Sequence, residues 1–318
     1  MTEFTPFRRL ALIGIGLIGS SIARIAAREG LAETIVCAAR REETRTKALQ
    51  LGIVSEAHLD PAEAVKGADC VILCTPLGAY AEVMQRVAPH LQAGAILSDV
   101  GSVKACVVRD VGPLVPEDVH FIPGHPVAGT EHSGPEAGFA ELFKGRWCIL
   151  TPIPGGEQAP LDRLIRFWTK AGSKVEVMEA RHHDLVLAIT SHLPHLIAYN
   201  IVGTADDLAT VTKGEVIHYS AGGFRDFTRI AASDPTMWRD IFLNNREAVL
   251  EMLGRFSEDL ALLQRAIRWG DGETLFNLFT RTRAIRRAII DEGQDIAAPD
   301  FGRQATPKNG KANEPGKK

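Results

Sequence analysis

A short apolar run, Leu10-Ala11-Leu12-Ile13, ends on Gly14-Ile15-Gly16-Leu17-Ile18-Gly19 and passes into a helix-like stretch over residues 17 to 28. A strand that turns through G-x-G-x-x-G into a helix opens a dinucleotide-binding βαβ unit. No other feature limits the possible folds as strongly. Gly14 permits the tight turn, Gly16 lets the backbone approach a pyrophosphate, and Gly19 lets helix pack closely on strand. The start of the helix, at Leu17 and Ile18 with Ser20 and Ser21 behind them, is expected to face the phosphates. A glycine-rich turn without a ligand is the bland alternative, and it gives no reason for the flanking strand and helix.

The pattern continues downstream. Strands are predicted at Thr34–Ala39, Ala68–Thr75, Ala95–Val100 and Val119–Ile122, with helix-like stretches between them. Cys70-Val71-Ile72-Leu73-Cys74 is continuously apolar, as a parallel strand covered on both faces must be. Alternation at this spacing predicts a doubly wound parallel sheet of Rossmann type. Trp147–Leu150 and Lys174–Met178 read as further strands closing that domain. After about residue 180 the strand signal stops and the chain reads as all-helical. The fold class is therefore α/β, with a dinucleotide-binding domain over 1–180 and a helical substrate and dimerisation domain over 181–300. Residues 303–318 hold Gly, Pro, Asn and Lys with few apolar residues, so 301–318 read as a disordered basic tail. Val249, Leu253, Phe256, Leu260, Leu263 and Ile267 form a heptad stripe on one helix face. The stripe suits either a buried core helix or a subunit interface. The reading favours a two-fold homodimer through the C-terminal helices.

Composition narrows the function. The 318 residues are 45% hydrophobic and 24% charged with a net charge of -3, which suits a globular protein and gives no pull toward nucleic acid. There is no unbroken apolar run long enough to cross a bilayer, and residues 1–9 lack the core of a signal peptide. Cys37, Cys70, Cys74, Cys106 and Cys148 form no CxxC pair and lie mostly in apolar runs, so they read as buried thiols in a reducing cytoplasm.

The end of the second strand selects the cofactor. An acidic residue there would bind the ribose 2′-hydroxyl of NAD. The chain has Ala38-Ala39-Arg40-Arg41 instead, with Glu42 and Glu43 beyond. Arg40 and Arg41 suit a 2′-phosphate, which favours NADP; NAD stays open through Glu42 or Glu43. Thr75, at the end of the Cys70–Cys74 strand, is a further cofactor-side candidate.

Four polar segments carry the chemistry. Asp99-Val100-Gly101-Ser102-Val103-Lys104 follows a strand at the ligand-binding edge of the sheet. Pro123-Gly124-His125-Pro126-Val127-Ala128-Gly129-Thr130-Glu131-His132-Ser133-Gly134 places a titratable imidazole on a stiff loop, where it can act as a base near neutral pH. Ser191-His192-Leu193-Pro194-His195 interrupts an apolar helical run. Gly222-Gly223-Phe224-Arg225-Asp226-Phe227-Thr228-Arg229-Ile230 precedes Ser233-Asp234-Pro235-Thr236-Met237-Trp238-Arg239-Asp240. Read by themselves, His192, His195 and Trp238 are core residues, and His182 and His183 sit on an exposed helix start. Arg225 and Arg229 read as partly buried by Phe224, Phe227 and Ile230. No third ligand stands at a metal-binding spacing from His192 and His195, so no metal is expected.

Taken in order, the glycine loop and these segments resemble the prephenate and arogenate dehydrogenase family, the cyclohexadienyl dehydrogenases of tyrosine biosynthesis. The resemblance runs from about Arg9 to about residue 290. It implies oxidative decarboxylation of prephenate, or of arogenate, with hydride transfer to NAD(P)+. It implies His125 as the base that takes the 4-hydroxyl proton and Ser102 as its partner on that hydroxyl beside the nicotinamide. It further implies Arg229 on a substrate carboxylate, His195 in the substrate pocket, and Thr130, Glu131, Asp226 and Trp238 around it. One rival is a two-domain hydroxy-acid dehydrogenase, which needs a catalytic lysine in the helical domain; Lys213 is the sole lysine between Lys174 and Lys308. A second rival is a redox sensor that binds NAD(P) without turnover, which gives no reason for His125, Ser102 and Arg229 to occur together.

Overall fold

The computed structural model describes residues 4–130, 132–209 and 222–291. Glu131, Lys213 and the 301–318 tail lie outside the described residues. Two compact units divide between Leu253 and Gly254.

Six strands form one parallel sheet: β1 (Phe7–Ile13), β2 (Ala32–Ala38), β3 (Glu56–His58), β4 (Cys70–Leu73), β5 (Ile96–Asp99) and β6 (His120–Phe121). Their order is β3-β2-β1-β4-β5-β6, with every pairing parallel. This is the doubly wound order that reverses at β1 and β4, where a crevice opens at the carboxyl edge. The sheet is covered on both faces because its strands alternate between two apolar clusters. Leu10, Leu12, Cys70 and Ile72 pack with Ile22, Phe143, Phe167 and Trp168 on one side. Ala11, Ile13, Val71 and Leu73 pack with Tyr80, Met84, Val107, Trp238 and Ile241 on the other. The helix α1 (Leu17–Arg28) belongs to the first layer. Helices α2 (Glu42–Gln50), α3 (Pro61–Val65), α4 (Tyr80–Val87) and α5 (Ala105–Val111) follow the successive strands.

The further strands expected in this domain form a second sheet. β7 (Gly124–Pro126) pairs antiparallel with β8 (Trp147–Leu150), which pairs parallel with β9 (Lys174–Val177). His125 is therefore not on a loop: it faces Ile149 in β7 and is only 6% exposed. The cause lies in the partners of Gly124. Its N–H donates to Asp99 Oδ1 at 3.0 Å and its carbonyl accepts from Lys104 Nζ at 2.7 Å. An added Cβ at Gly124 would lie 3.1 Å from the Asp99 carbonyl oxygen. The residue before the histidine must be small for β7 to dock on the end of β5.

After α6 (Gln158–Lys170) and β9, the described residues are helical. α7 (Ala180–Leu187) runs through a π-helical turn (Ala188–His192) into α8 (Leu193–Ala209). Pro194 supplies a cause for the wide turn, since it lacks an N–H and crowds the preceding turn. By length and composition, Ala180–Asp207 is long and apolar enough to cross a membrane, with a mean hydropathy of 1.5. That differs from the expectation of no such run. The stretch is broken by His183, Asp184 and His192, all buried in the protein. Helices Gly222–Thr228, Pro235–Asn244, Arg246–Trp269 and Gly272–Asp291 follow.

Candidate active site

The glycine loop has the shape of a dinucleotide cradle. Gly14 holds φ at +106°, and an added Cβ would meet the Cys74 carbonyl at 2.7 Å and Thr75 N at 2.9 Å. An added Cβ at Gly19 would strike the Gly14 carbonyl, whereas at Gly16 nothing lies within 4 Å. The first and third glycines are thus needed for packing, and the second leaves space for a ligand. Gly16 caps α1 with no side-chain hydrogen bond, and the first turn carries no acidic residue. The N–H groups behind Leu17 and Ile18 are left available to an anion. Ser20 and Ser21 do not face the phosphates. Both are buried, donating to the Gly16 carbonyl at 2.7 Å and the Leu17 carbonyl at 2.7 Å. The residues present therefore fit a bound dinucleotide.

Beyond β2, Arg40 and Arg41 are exposed. Arg45 holds the turn by donating from Nη1 to the Ala39 carbonyl at 2.8 Å and the Arg40 carbonyl at 2.9 Å. Thr75 follows β4, and its hydroxyl is buried without a partner within the described chain.

His125 is the end of a relay. Its Nδ1 lies 2.8 Å from His183 Nε2, and His183 Nδ1 lies 2.8 Å from Asp184 Oδ1. Asp184 is fixed in turn by the start of α5, accepting from Lys104 N at 2.7 Å and Ala105 N at 2.9 Å. A carboxylate only accepts, so His183 carries its proton on Nδ1 and offers a bare Nε2. His125 must then donate from Nδ1, which leaves its Nε2 as the free acceptor. Burial lowers the His125 pKa well below 6.5, reinforced by the neighbouring His183, Lys104 and His192. Burial also lowers His183, against the opposing pull of Asp184. Both rings are neutral at neutral pH, the form that a base requires.

Under the relay sits a buried ion pair. Lys104 Nζ contacts Asp99 Oδ2, and both side chains are fully buried. Asp99 also accepts from Gly101 N at 2.7 Å and Tyr80 Oη at 3.2 Å. The pair joins the end of β5 to the start of β7 and holds Ser102 and His125 on one frame.

The second set of residues surrounds Trp238. His195 stacks on its ring with centroids 3.7 Å apart, and His192 meets it edge-on at 6.0 Å. His195 Nδ1 donates to the Ser191 carbonyl at 2.8 Å. Burial lowers the His195 pKa, and the charge of Arg229 lowers it further. Arg229, Arg225, Asp226 and Phe227 are exposed, so that segment is more open than its aromatic residues suggest. Thr130 is exposed and its hydroxyl accepts from His132 N at 3.2 Å.

Known proteins resemble this chain over nearly its whole length. Residues 22–177 match the family described as prephenate dehydrogenase, nucleotide-binding domain, and residues 179–281 match prephenate dehydrogenase, dimerization domain. A cyclohexadienyl dehydrogenase of Zymomonas mobilis is 40% identical over 285 residues, covering 90% of this chain and 97% of the relative. The chain belongs to the prephenate dehydrogenase family. The crystal structure of prephenate dehydrogenase from A. aeolicus, in complex with hydroxyphenyl propionate and NAD+, superimposes with a TM-score of 0.84 at 33% identity, covering 90% of this chain and 100% of that one. Synechocystis arogenate dehydrogenase gives a TM-score of 0.74 at 27% identity, covering 88% and 99%. As a family member the chain is an NAD(P)-dependent oxidoreductase with a Rossmann-type sheet and a helical dimerisation domain.

Four residues of this family site escape a reading by sequence. His183 was expected on an exposed helix start, yet it is fully buried. Asp184, Lys104 and Asn245 are the other three. A hint existed in His182-His183-Asp184, since a helix that packs on a core turns part of every such triplet inward. The thiols are inert as expected: all five are free, and burial raises Cys37 and Cys106 to about 12.

Proposed function

We propose that this protein catalyses the oxidative decarboxylation of prephenate, or of arogenate, with hydride transfer to NAD(P)+ in tyrosine biosynthesis. The observation that carries the mechanism is the Asp184–His183–His125 relay, which leaves His125 Nε2 as a buried neutral acceptor. The bound dinucleotide supplies the hydride acceptor. His125 takes the proton of the substrate 4-hydroxyl as the C4–H bond breaks. The bond to the ring carboxylate then breaks, its electron pair enters the ring, and CO2 leaves an aromatic product. His125 becomes an imidazolium whose Nδ1–H stays on His183, and the Asp184 carboxylate stabilises the charge. Ser102 shares the hydroxyl, which suits a group that both donates and accepts. His195 and Trp238 line the pocket, with Thr130 and Asp226 at its mouth. Gly14, Gly16, Leu17, Ile18, Gly19 and Thr75 hold the dinucleotide.

Arg229 binds a substrate carboxylate, where a guanidinium can form a two-pronged pair. Arg229→Ala is expected to raise KM by about 10–100-fold, equivalent to about 1.5–3 kcal/mol for a charge-assisted bond. Its kcat should change less, and an unchanged KM counts against the role.

Arg40 and Arg41 favour NADP, since β2 ends without a carboxylate. The double variant Arg40→Ala, Arg41→Ala should lose kcat/KM with NADP by at least about tenfold and little with NAD. A large NAD advantage in the parent protein would reject the assignment.

The dinucleotide domain is taken to end near residue 180 and the helical domain near 300, a division supported by the family matches at 22–177 and 179–281. The helical domain forms a homodimer. Exposed Leu260 (47%) and Ile267 (68%) on the heptad stripe support this. Free thiols fit a reducing cytoplasm. The deciding assay pairs prephenate or arogenate with NAD or NADP in all four combinations. Tight NADPH binding with no turnover in any of them would revive the sensor reading.

A further inference from the structure

Asn245 lies between helices Pro235–Asn244 and Arg246–Trp269 and is 5% exposed. Its Nδ2 stands 2.8 Å from the Asp184 carbonyl oxygen and 3.0 Å from His192 Nδ1. A carbonyl oxygen only accepts, so the atom against it is the amide nitrogen and not the amide oxygen. Its two hydrogens then serve two acceptors, one of which is His192 Nδ1. The His192 proton is thereby placed on Nε2. Burial lowers the His192 pKa to about 4, so the ring is neutral and a single tautomer is defined. Nε2 is buried and turns to the Ser102 main chain, which raises the His192 pKa as an acceptor does, at a geometry looser than a full hydrogen bond. A buried N–H needs such an acceptor, since leaving it without one is costly.

We propose that Asn245 is a positioning residue of the active site, holding His192 as a neutral Nε2–H donor toward the Ser102 main chain and so fixing where Ser102 stands. This rests on the dehydrogenase reading. The same amide grips the main chain of Asp184, so one side chain ties the relay to the donor. The titratable and charged groups facing His192 are Asp184 and His183 on α7, His195 on α8 and His125 on β7. Lys104 lies behind the relay and Arg229 beyond His195.

The test compares Asn245→Asp with Asn245→Ala. Aspartate is nearly isosteric but only accepts, so it draws the His192 proton to Nδ1 and strips the donor from Nε2. Alanine leaves room for a water that can still donate to Nδ1. Asn245→Asp should lose about tenfold more kcat than Asn245→Ala. Its activity should also recover as pH falls through the raised His192 pKa, because the doubly protonated ring regains Nε2–H. A packing role gives the opposite order, since the isosteric variant would be the milder one. That order, with the pH profile of the parent protein, overturns the proposal. Should Asn245→Asp fail to fold, His192→Gln should keep about tenfold more kcat than His192→Leu, and equal losses overturn the proposal. Long-range proton–nitrogen spectra of the unliganded, 15N-histidine-labelled protein read the tautomer without turnover. A bare Nδ1 supports the proposal and a bare Nε2 overturns it. Parent-protein turnover with prephenate or arogenate tests the dehydrogenase reading separately.

Discussion

His125→Ala is expected to lower kcat by about 10²–10⁴-fold, the usual range for a positioned general base, with cofactor affinity little changed. For this buried imidazole the structure arranges both a free acceptor nitrogen and a donor-side anchor backed by a carboxylate. Without it the hydroxyl proton has no buried acceptor, while the glycine loop is untouched. Asp184→Asn should reproduce part of the loss. It releases the tautomer of His183 and removes the charge that steadies the imidazolium. The pH dependence follows from the sign of the shift. The neutral form is active and the His125 pKa lies well below 6.5. Activity is therefore retained as pH rises through 6.5 and is lost only as pH falls through the depressed value. Steady-state kinetics from pH 5 to 9 read both effects. Full activity of the alanine variant, or an acid limb above pH 6.5, rejects the assignment.

Lys104→Met should destabilise the fold by about 3–5 kcal/mol, the usual cost of stranding one member of a buried pair. Lys104 and Asp99 are both fully buried. Removing the ammonium leaves the Asp99 charge compensated only by the Gly101 and Gly124 N–H groups and Tyr80. It also orphans the Gly124 carbonyl, one of the two anchors of β7. Catalysis should fall with stability, because β7 carries His125. Urea unfolding measures the change. The double variant Asp99→Asn, Lys104→Met should be more stable than Lys104→Met alone, since no unpaired charge remains. A loss below about 1 kcal/mol for Lys104→Met would mean that the pair contributes little.

Much of this is legible along the chain. The glycine loop, five of the six strands of the parallel sheet and the helical character after residue 180 depend on local pattern, and local pattern is what a sequence displays. His125, Ser102, His195 and Arg229 were legible through their segments. His183 and Asp184 were not. A helix start rich in His and Asp looks solvent-facing until the strand that covers it is known. β7 was misread for a related reason. The three residues Gly124-His125-Pro126 carry no strand period, and only pairing with β8 makes them a strand.

The sequence by itself determined the dinucleotide fold, because φ, packing space and helix polarity at Gly14, Gly16 and Gly19 are properties of neighbouring residues. Tertiary structure alone decided how the base works. The proton position on His125 depends, through His183, on Asp184, 59 residues away, and that on His192 depends on Asn245, 53 residues away. A tautomer is set by the hydrogen bond at the other nitrogen, and that partner reaches the site only through the fold.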